Sequence, residues 1–125
     1  METKARILIA DSNQDFCRLV NESFSHEGDL EVVGTAGDGV EALSLVAELR
    51  PDLLLMDLVL PKMDGLELLS RLPDTGVGCS VIVLSGFVNS QVIADCSARG
   101  ADYFMSKPCN IPALLTRIRQ LCGAC

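Results

Sequence analysis

The chain has 125 residues, enough for one domain with a hydrophobic core and too few for two ordinary ones. With 49% apolar residues, 22% charged residues and a mean hydropathy of +0.34, burial can offset the ordering entropy, which excludes a disordered or collagen-like chain. Seventeen acidic against ten basic residues give a net charge of -7, so a nucleic-acid backbone or an anionic membrane is repelled on average.

In chain order, Met1 to Arg6 carries two positive charges, but the apolar run behind it ends at Asp11. That leaves no signal-peptide core, and the chain is expected to be cytoplasmic. The first strand is read from Arg6 to Ala10 (RILIA), followed by a helix with Phe16, Val20 and Phe24 on one face. A second strand, Glu31 to Gly34, precedes a helix carrying Ala42, Leu45, Val46 and Leu49. Leu53 to Met56 forms the third strand, with Leu66 and Leu69 on the helix behind it. Ser80 to Leu84 is the fourth, followed by Val92, Ile93 and Cys96; a short fifth, Tyr103 to Met105, leads to Leu114, Leu115, Ile118 and Leu121. Spacings of three or four set each stripe on one helix face, whereas continuous apolar runs suit strands covered on both sides. The alternation predicts an α/β fold, a parallel sheet of five strands with five crossover helices. No membrane span is expected, because Asp11, Asp52, Asp57 and Asp64 interrupt the most apolar stretches.

Six cysteines stand at positions 17, 79, 96, 109, 122 and 125. In a reducing compartment the first four read as small buried hydrophobes. Cys122 to Cys125 is a CxxC, but a structural zinc site needs four ligands, and only the isolated His26 could be added.

In open α/β sheets ligands sit beyond the carboxyl ends of the strands, where strand order reverses. Asp11 follows strand one, Asp57 strand three, Ser85 strand four and Lys107 strand five. If strands one and three are neighbours, the two carboxylates face each other, and such oxygens suit a hard cation such as Mg2+. A phosphoryl group beside that cation would want the ammonium of Lys107 and the hydroxyl of Ser85. Taken singly, an Asp at a strand end is as readily a turn former or helix cap, so the weight lies on the four together. GTAGDG at Gly34 to Gly39 lacks the GxGxxG order and reads as turn chemistry.

The segments ILIADSN, PDLLLMDLVLPKMDGLELL, VIVLSG and GADYFMSKP, in that order, resemble the receiver domains of bacterial two-component response regulators over the whole chain. DLEVVGTAGDGVEALSL and GADYFMSKP are most similar to the receiver of the sporulation transcription factor of spore-forming Firmicutes. The resemblance implies a flavodoxin-like, doubly wound sheet in strand order 2-1-3-4-5. It implies Asp57 as phosphoacceptor, Asp11 in the acidic pocket, Ser85 as switch hydroxyl, Lys107 as the site lysine before a cis Pro108, and Phe104 as switch aromatic. Metal ligands would be Asp11, Asp57 and the backbone carbonyl of Val59, with Ser12 as a further donor. Implied partners are a histidine kinase or phosphotransfer protein, a C-terminal DNA-binding output domain outside this chain, and a second copy when phosphorylated. The domain itself would touch neither DNA nor membrane, and would signal rather than act as an enzyme.

Ser12 departs from the family pattern, which usually has a second aspartate there, so Mg2+ is expected to bind weakly. Asp15 reads as a solvated charge in the first helical turn, with a water-mediated contribution to the cation as the alternative. Leu60, Gly86 and Cys109 are smaller departures that reshape packing. Val59 and Phe87 are apolar, so neither would orient an attacking water, and an acyl-phosphate should decay slowly. A phosphatase working through an aspartyl-phosphate would want an acid at Val59, and a flavin site a Ser/Thr/Gly-rich loop where Asp11 to Asp15 is acidic. The remaining alternative is a phosphate-independent interaction module of the same fold.

Overall fold

In the computed structural model, which describes residues 4–86, 89–108 and 110–122, short apolar strands alternate with amphipathic helices. They are β1 (Ala5–Ala10), α1 (Gln14–Ser25), β2 (Leu30–Ala36), α2 (Gly39–Leu49), β3 (Leu53–Met56), α3 (Gly65–Arg71), β4 (Ser80–Ser85), α4 (Ser90–Ala98), β5 (Tyr103–Ser106) and α5 (Ile111–Cys122). A 3-10 turn, Leu72–Thr75, continues α3. The strands are parallel and ordered β2-β1-β3-β4-β5, the doubly wound order that the resemblance implies.

Strand side chains alternate between faces, so the sheet divides the core in two. Leu8, Leu54, Met56 and Val83 pack towards α2 and α3, meeting Ala42, Val46, Leu68 and Leu69. Ile7, Ile9, Leu55 and Leu84 pack towards α1 and α5, meeting Val20, Phe24, Leu114 and Ile118. Both faces of the central strands are covered, which is why their sequences are continuously apolar. Each fully buried aliphatic side chain stabilises the fold by about 1.5–3 kcal/mol.

Helix starts are set by short polar side chains. Asn13, Asp38, Asp64, Asn89 and Asn110 accept the backbone N–H of Phe16, Glu41, Glu67, Val92 and Ala113 at 3.1, 2.7, 2.9, 2.8 and 3.0 Å. Each cap contributes about 1 kcal/mol and sets where the preceding loop ends.

Several sequence expectations are corrected. β2 runs past Gly34 to Ala36: the β1–β2 register shifts between Ile7 and Leu8, passing over Val33, and pairing resumes at Gly34 opposite Leu8. β1 begins at Ala5, and β4 and β5 extend to Ser85 and Ser106. On α1 the buried positions are Cys17, Val20 and Phe24, while Phe16 stands at the rim. Ile93 is 39% exposed, since α4 buries only Cys96. Of the cysteines read as buried, Cys17 and Cys96 are, whereas Cys79 is only partly so. Cys109, Cys125 and Phe87 lie outside the described residues. Burial comes first in raising the thiols of Cys17, Cys79, Cys96 and Cys122 above their ordinary value, the opposite of a reactive thiolate.

Candidate functional site

The strand pairing places the site. Ala10 is level with Met56, Met56 with Val83, and Ser85 with Ser106. The next residues therefore emerge together at the carboxyl edge of the sheet, where β1 and β3 lie side by side although α1, β2 and α2 separate them in the chain. Backbone bonds continue the ladder one step further: Asp11 N–H to the Ala36 carbonyl, Asp57 N–H to Ala10 and Lys107 N–H to Ser85, each 2.9 Å.

Lys107 reaches back from the end of β5 to both acids. Its Nζ donates to Asp11 Oδ2 at 2.6 Å and to Asp57 Oδ2 at 3.1 Å. The other oxygens are used alike: Asp11 Oδ1 accepts the N–H of Asn13 at 2.9 Å, and Asp57 Oδ1 that of Val59 at 3.2 Å. Each carboxylate is thus held between a backbone turn and a shared ammonium. Side-chain exposure is 3% for Asp11, 14% for Asp57 and 24% for Lys107, so Asp57 is the more accessible acid. Burial opposes the charge on Lys107, but hydrogen bonds to Asp11 and Asp57 and their negative charges outweigh it and push the ammonium above its usual range. Lys107 stays charged at neutral pH.

The other sequence candidates lie on β4, β5, α1 and the loops after β1 and β3. Ser85 is fully buried at the end of β4, and the Lys107–Pro108 peptide is cis. Phe104 is half-buried on β5, bordering a groove of about 260 Å³ with Ile93, Cys96 and Tyr103. Val59 is 57% exposed at the rim, and Ser12 is exposed beside Asp11. Asp15 is solvent-exposed and paired with Arg18 at 3.2 Å. A cleft of about 460 Å³ opens between α1 and the start of α2, bordered by Asp11, Gln14, Arg18 and Glu41 but not by Asp57. The convergent charges therefore lie beside this cleft rather than inside it, with Asp11 shared between the two.

Among the described residues no three His, Cys, Asp or Glu side chains gather as a metal cage. The donors available are two carboxylates, the hydroxyl of Ser12 and the carbonyl of Val59. That set fits Mg2+, which takes oxygen ligands and is ordinarily held by one or two carboxylates together with water and substrate phosphate.

A pair of glycines and one phenylalanine shape the site although the sequence reading did not assign them to it. Gly39, first in α2, lies against the loop after Asp57: a Cβ there would stand 1.9 Å from the Met63 carbonyl oxygen, and its N–H donates to the Pro61 carbonyl at 3.1 Å. A Cβ on Gly65 would lie 2.6 Å from Leu58 Cα, so both glycines let this loop fold tightly. The loop also contains Lys62 in the left-handed region, φ 68°, paired with Asp38 at 3.5 Å. The phenylalanine is Phe16, whose ring centroid lies 4.4 Å from Lys107 Nζ. An Asn three residues before Phe16 was the available signal, since that cap fixes which way the first turn faces.

Residues 7–119 match the response regulator receiver domain family. Among solved structures, the chain is similar to the REC domain of AraT, a response regulator from Geobacillus stearothermophilus, with 30% identity, 95% of this chain and 93% of that one covered, and a TM-score of 0.83. The response regulator domain of Thermotoga maritima CheB matches with 27% identity over 96% and 97% of the two chains, TM-score 0.89. A chain of the CheX-CheY-BeF3-Mg2+ complex from Borrelia burgdorferi matches with 27% identity over 95% and 90%, TM-score 0.88.

Proposed function

The chain belongs to the response regulator receiver family, and from that premise we propose that it is the phosphoacceptor receiver of a two-component or phosphorelay system, phosphorylated on Asp57. The observation that carries this reading is the single ammonium of Lys107 bonded to both Asp11 and Asp57 across the sheet's switch point. The donor is a histidine kinase or phosphotransfer protein. An Asp57 carboxylate oxygen attacks the phosphorus in line, the P–N bond breaks, and the imidazole leaves with the bonding electrons and takes up a proton. Lys107 stays at the acceptor, where its charge offsets that of the phosphoryl oxygens. Asp11 holds Lys107 in reach. Asp11, Asp57, the Val59 carbonyl and Ser12 would hold Mg2+, which when bound screens the phosphoryl oxygens from the carboxylates.

The domain is a signalling module rather than a turnover enzyme. Ser85 turns its hydroxyl to the phosphoryl group, and Phe104 turns inward into the space released, reshaping the face made by α4, β5 and α5. That face then pairs with a second copy or releases a C-terminal DNA-binding output domain. The segments quoted for the sporulation-factor likeness support transcription in sporulation as the output. Among the described residues no helix is long and apolar enough to cross a membrane.

Ser12 favours one rival, a module that binds its partners without phosphate. Adding beryllofluoride with Mg2+, a phosphoryl mimic, while following amide and aromatic NMR signals separates the two. The receiver reading expects shifts at Ser85, Phe104 and along α4. Signals that stay fixed at saturating beryllofluoride would leave the phosphate-independent module as the better account.

A further inference from the structure

We propose that Phe16 is a positioning residue, whose aromatic face seats the Lys107 ammonium between the two acids. Its effect on phosphorylation rests on the receiver reading, but the seat itself does not. An ammonium has three N–H donors. Two go to Asp11 and Asp57, and the Phe16 ring centroid lies 4.4 Å from the same nitrogen. That distance lies within the reach of a cation–π contact.

The contacts form a closed circuit. Asp11 Oδ1 accepts the Asn13 N–H at 2.9 Å, and the Asn13 side chain accepts the Phe16 N–H at 3.1 Å. The ring meets Lys107, and Lys107 returns to Asp11 Oδ2 at 2.6 Å. The side chain that anchors the lysine therefore also sets the helical turn that carries the ring. The ammonium is shared between Asp11 and Asp57 at the end of a long flexible stem that leaves it freedom to move. A half-buried ring removes that freedom without adding charge. Lys107 is 24% exposed, so the contact falls between the exposed and the desolvated case.

The test uses the whole chain in four forms: wild type, Phe16→Tyr, Phe16→Leu, and a variant with trifluorinated phenylalanine at position 16. The fluorinated ring keeps nearly the same shape but loses its negative face, so it carries the test even if Phe16→Leu fails to fold. Two readouts are taken, the NMR mobility of the Lys107 side chain and the rate of phosphorylation by acetyl phosphate with Mg2+. Phe16→Tyr should match wild type in both. Phe16→Leu and the fluorinated variant should free the Lys107 side chain and slow phosphorylation roughly threefold to tenfold. A fluorinated variant with Lys107 as ordered as in wild type, or one that frees it without slowing phosphorylation, would overturn the positioning role and leave Phe16 as packing. Should Lys107 be freed while even wild type takes up no phosphoryl group, the seat stands and the receiver reading fails.

Discussion

Gly39→Ala separates helix propensity from loop packing, because the two predict opposite signs. In an unobstructed position replacing Gly by Ala stabilises by about 0.4–1 kcal/mol. Here the new Cβ would stand 1.9 Å from the Met63 carbonyl oxygen and 2.8 Å from Met63 C and Cβ. Two of those three atoms are backbone, so no side chain can swing aside. Reaching ordinary contact requires α2 and the loop to part by roughly 1.5 Å. That separation strains the 3.1 Å bond from Gly39 N–H to the Pro61 carbonyl and the 3.5 Å Lys62–Asp38 pair. Overpacking at about 1–3 kcal/mol and a lost hydrogen bond at about 1 kcal/mol outweigh the propensity gain, for a net loss of about 1–3.5 kcal/mol. Urea unfolding should show a lower midpoint with an unchanged slope. A variant as stable as wild type, or more so, would refute the claim that this contact holds the loop after Asp57.

Ser12→Asp adds an anionic oxygen ligand and should tighten Mg2+ binding roughly tenfold, raising the phosphorylation rate at limiting Mg2+ with the difference shrinking at saturation; titration calorimetry checks it. Val59→Asn puts a polar side chain at the rim beside Asp57 and should speed acyl-phosphate decay by roughly threefold to tenfold, read by the loss of label over time. Arg119 joins α5 to Asp29 at 2.8 and 2.9 Å and to Glu27 at 2.7 Å, and with all three side chains about a third exposed, Arg119→Ala should cost only about 1 kcal/mol. The Arg119 hydrogen bond holds the Asp29 carboxyl below its ordinary 3.8, so this loss should be full above that pH and vanish as pH falls through the lowered value, as paired melts of the two proteins would show.

The order of strands and helices was legible because the central strands are covered on both faces and the helices on one, so their apolar periods differ. Gly34 misled because glycine ordinarily weakens a strand, whereas here the strand runs on through it: Gly34 pairs with Leu8 just after the register shift, and a Cβ there would lie 3.1 Å from Leu49 Cδ1. Ile93 misled because periodicity records which face is apolar but not whether a neighbour covers it. The positions of Asp11, Asp57, Ser85 and Lys107 at strand ends could be read along the chain. The joining of Asp11 and Asp57 by the Lys107 ammonium could not, since that depends on the reach of Lys107 from β5 past β4 and β3 to β1. The same limit hid Phe16, which reads as one more member of an apolar stripe until the Asn13 cap turns it towards the lysine.

The most direct test of the account is to locate the phosphoryl group. Wild type and Asp57→Asn would each be incubated with acetyl phosphate and Mg2+, and intact mass followed by peptide mapping. The account predicts one added phosphoryl group on wild type, within the peptide containing Asp57, and none on Asp57→Asn. Equal labelling of the two proteins would contradict it.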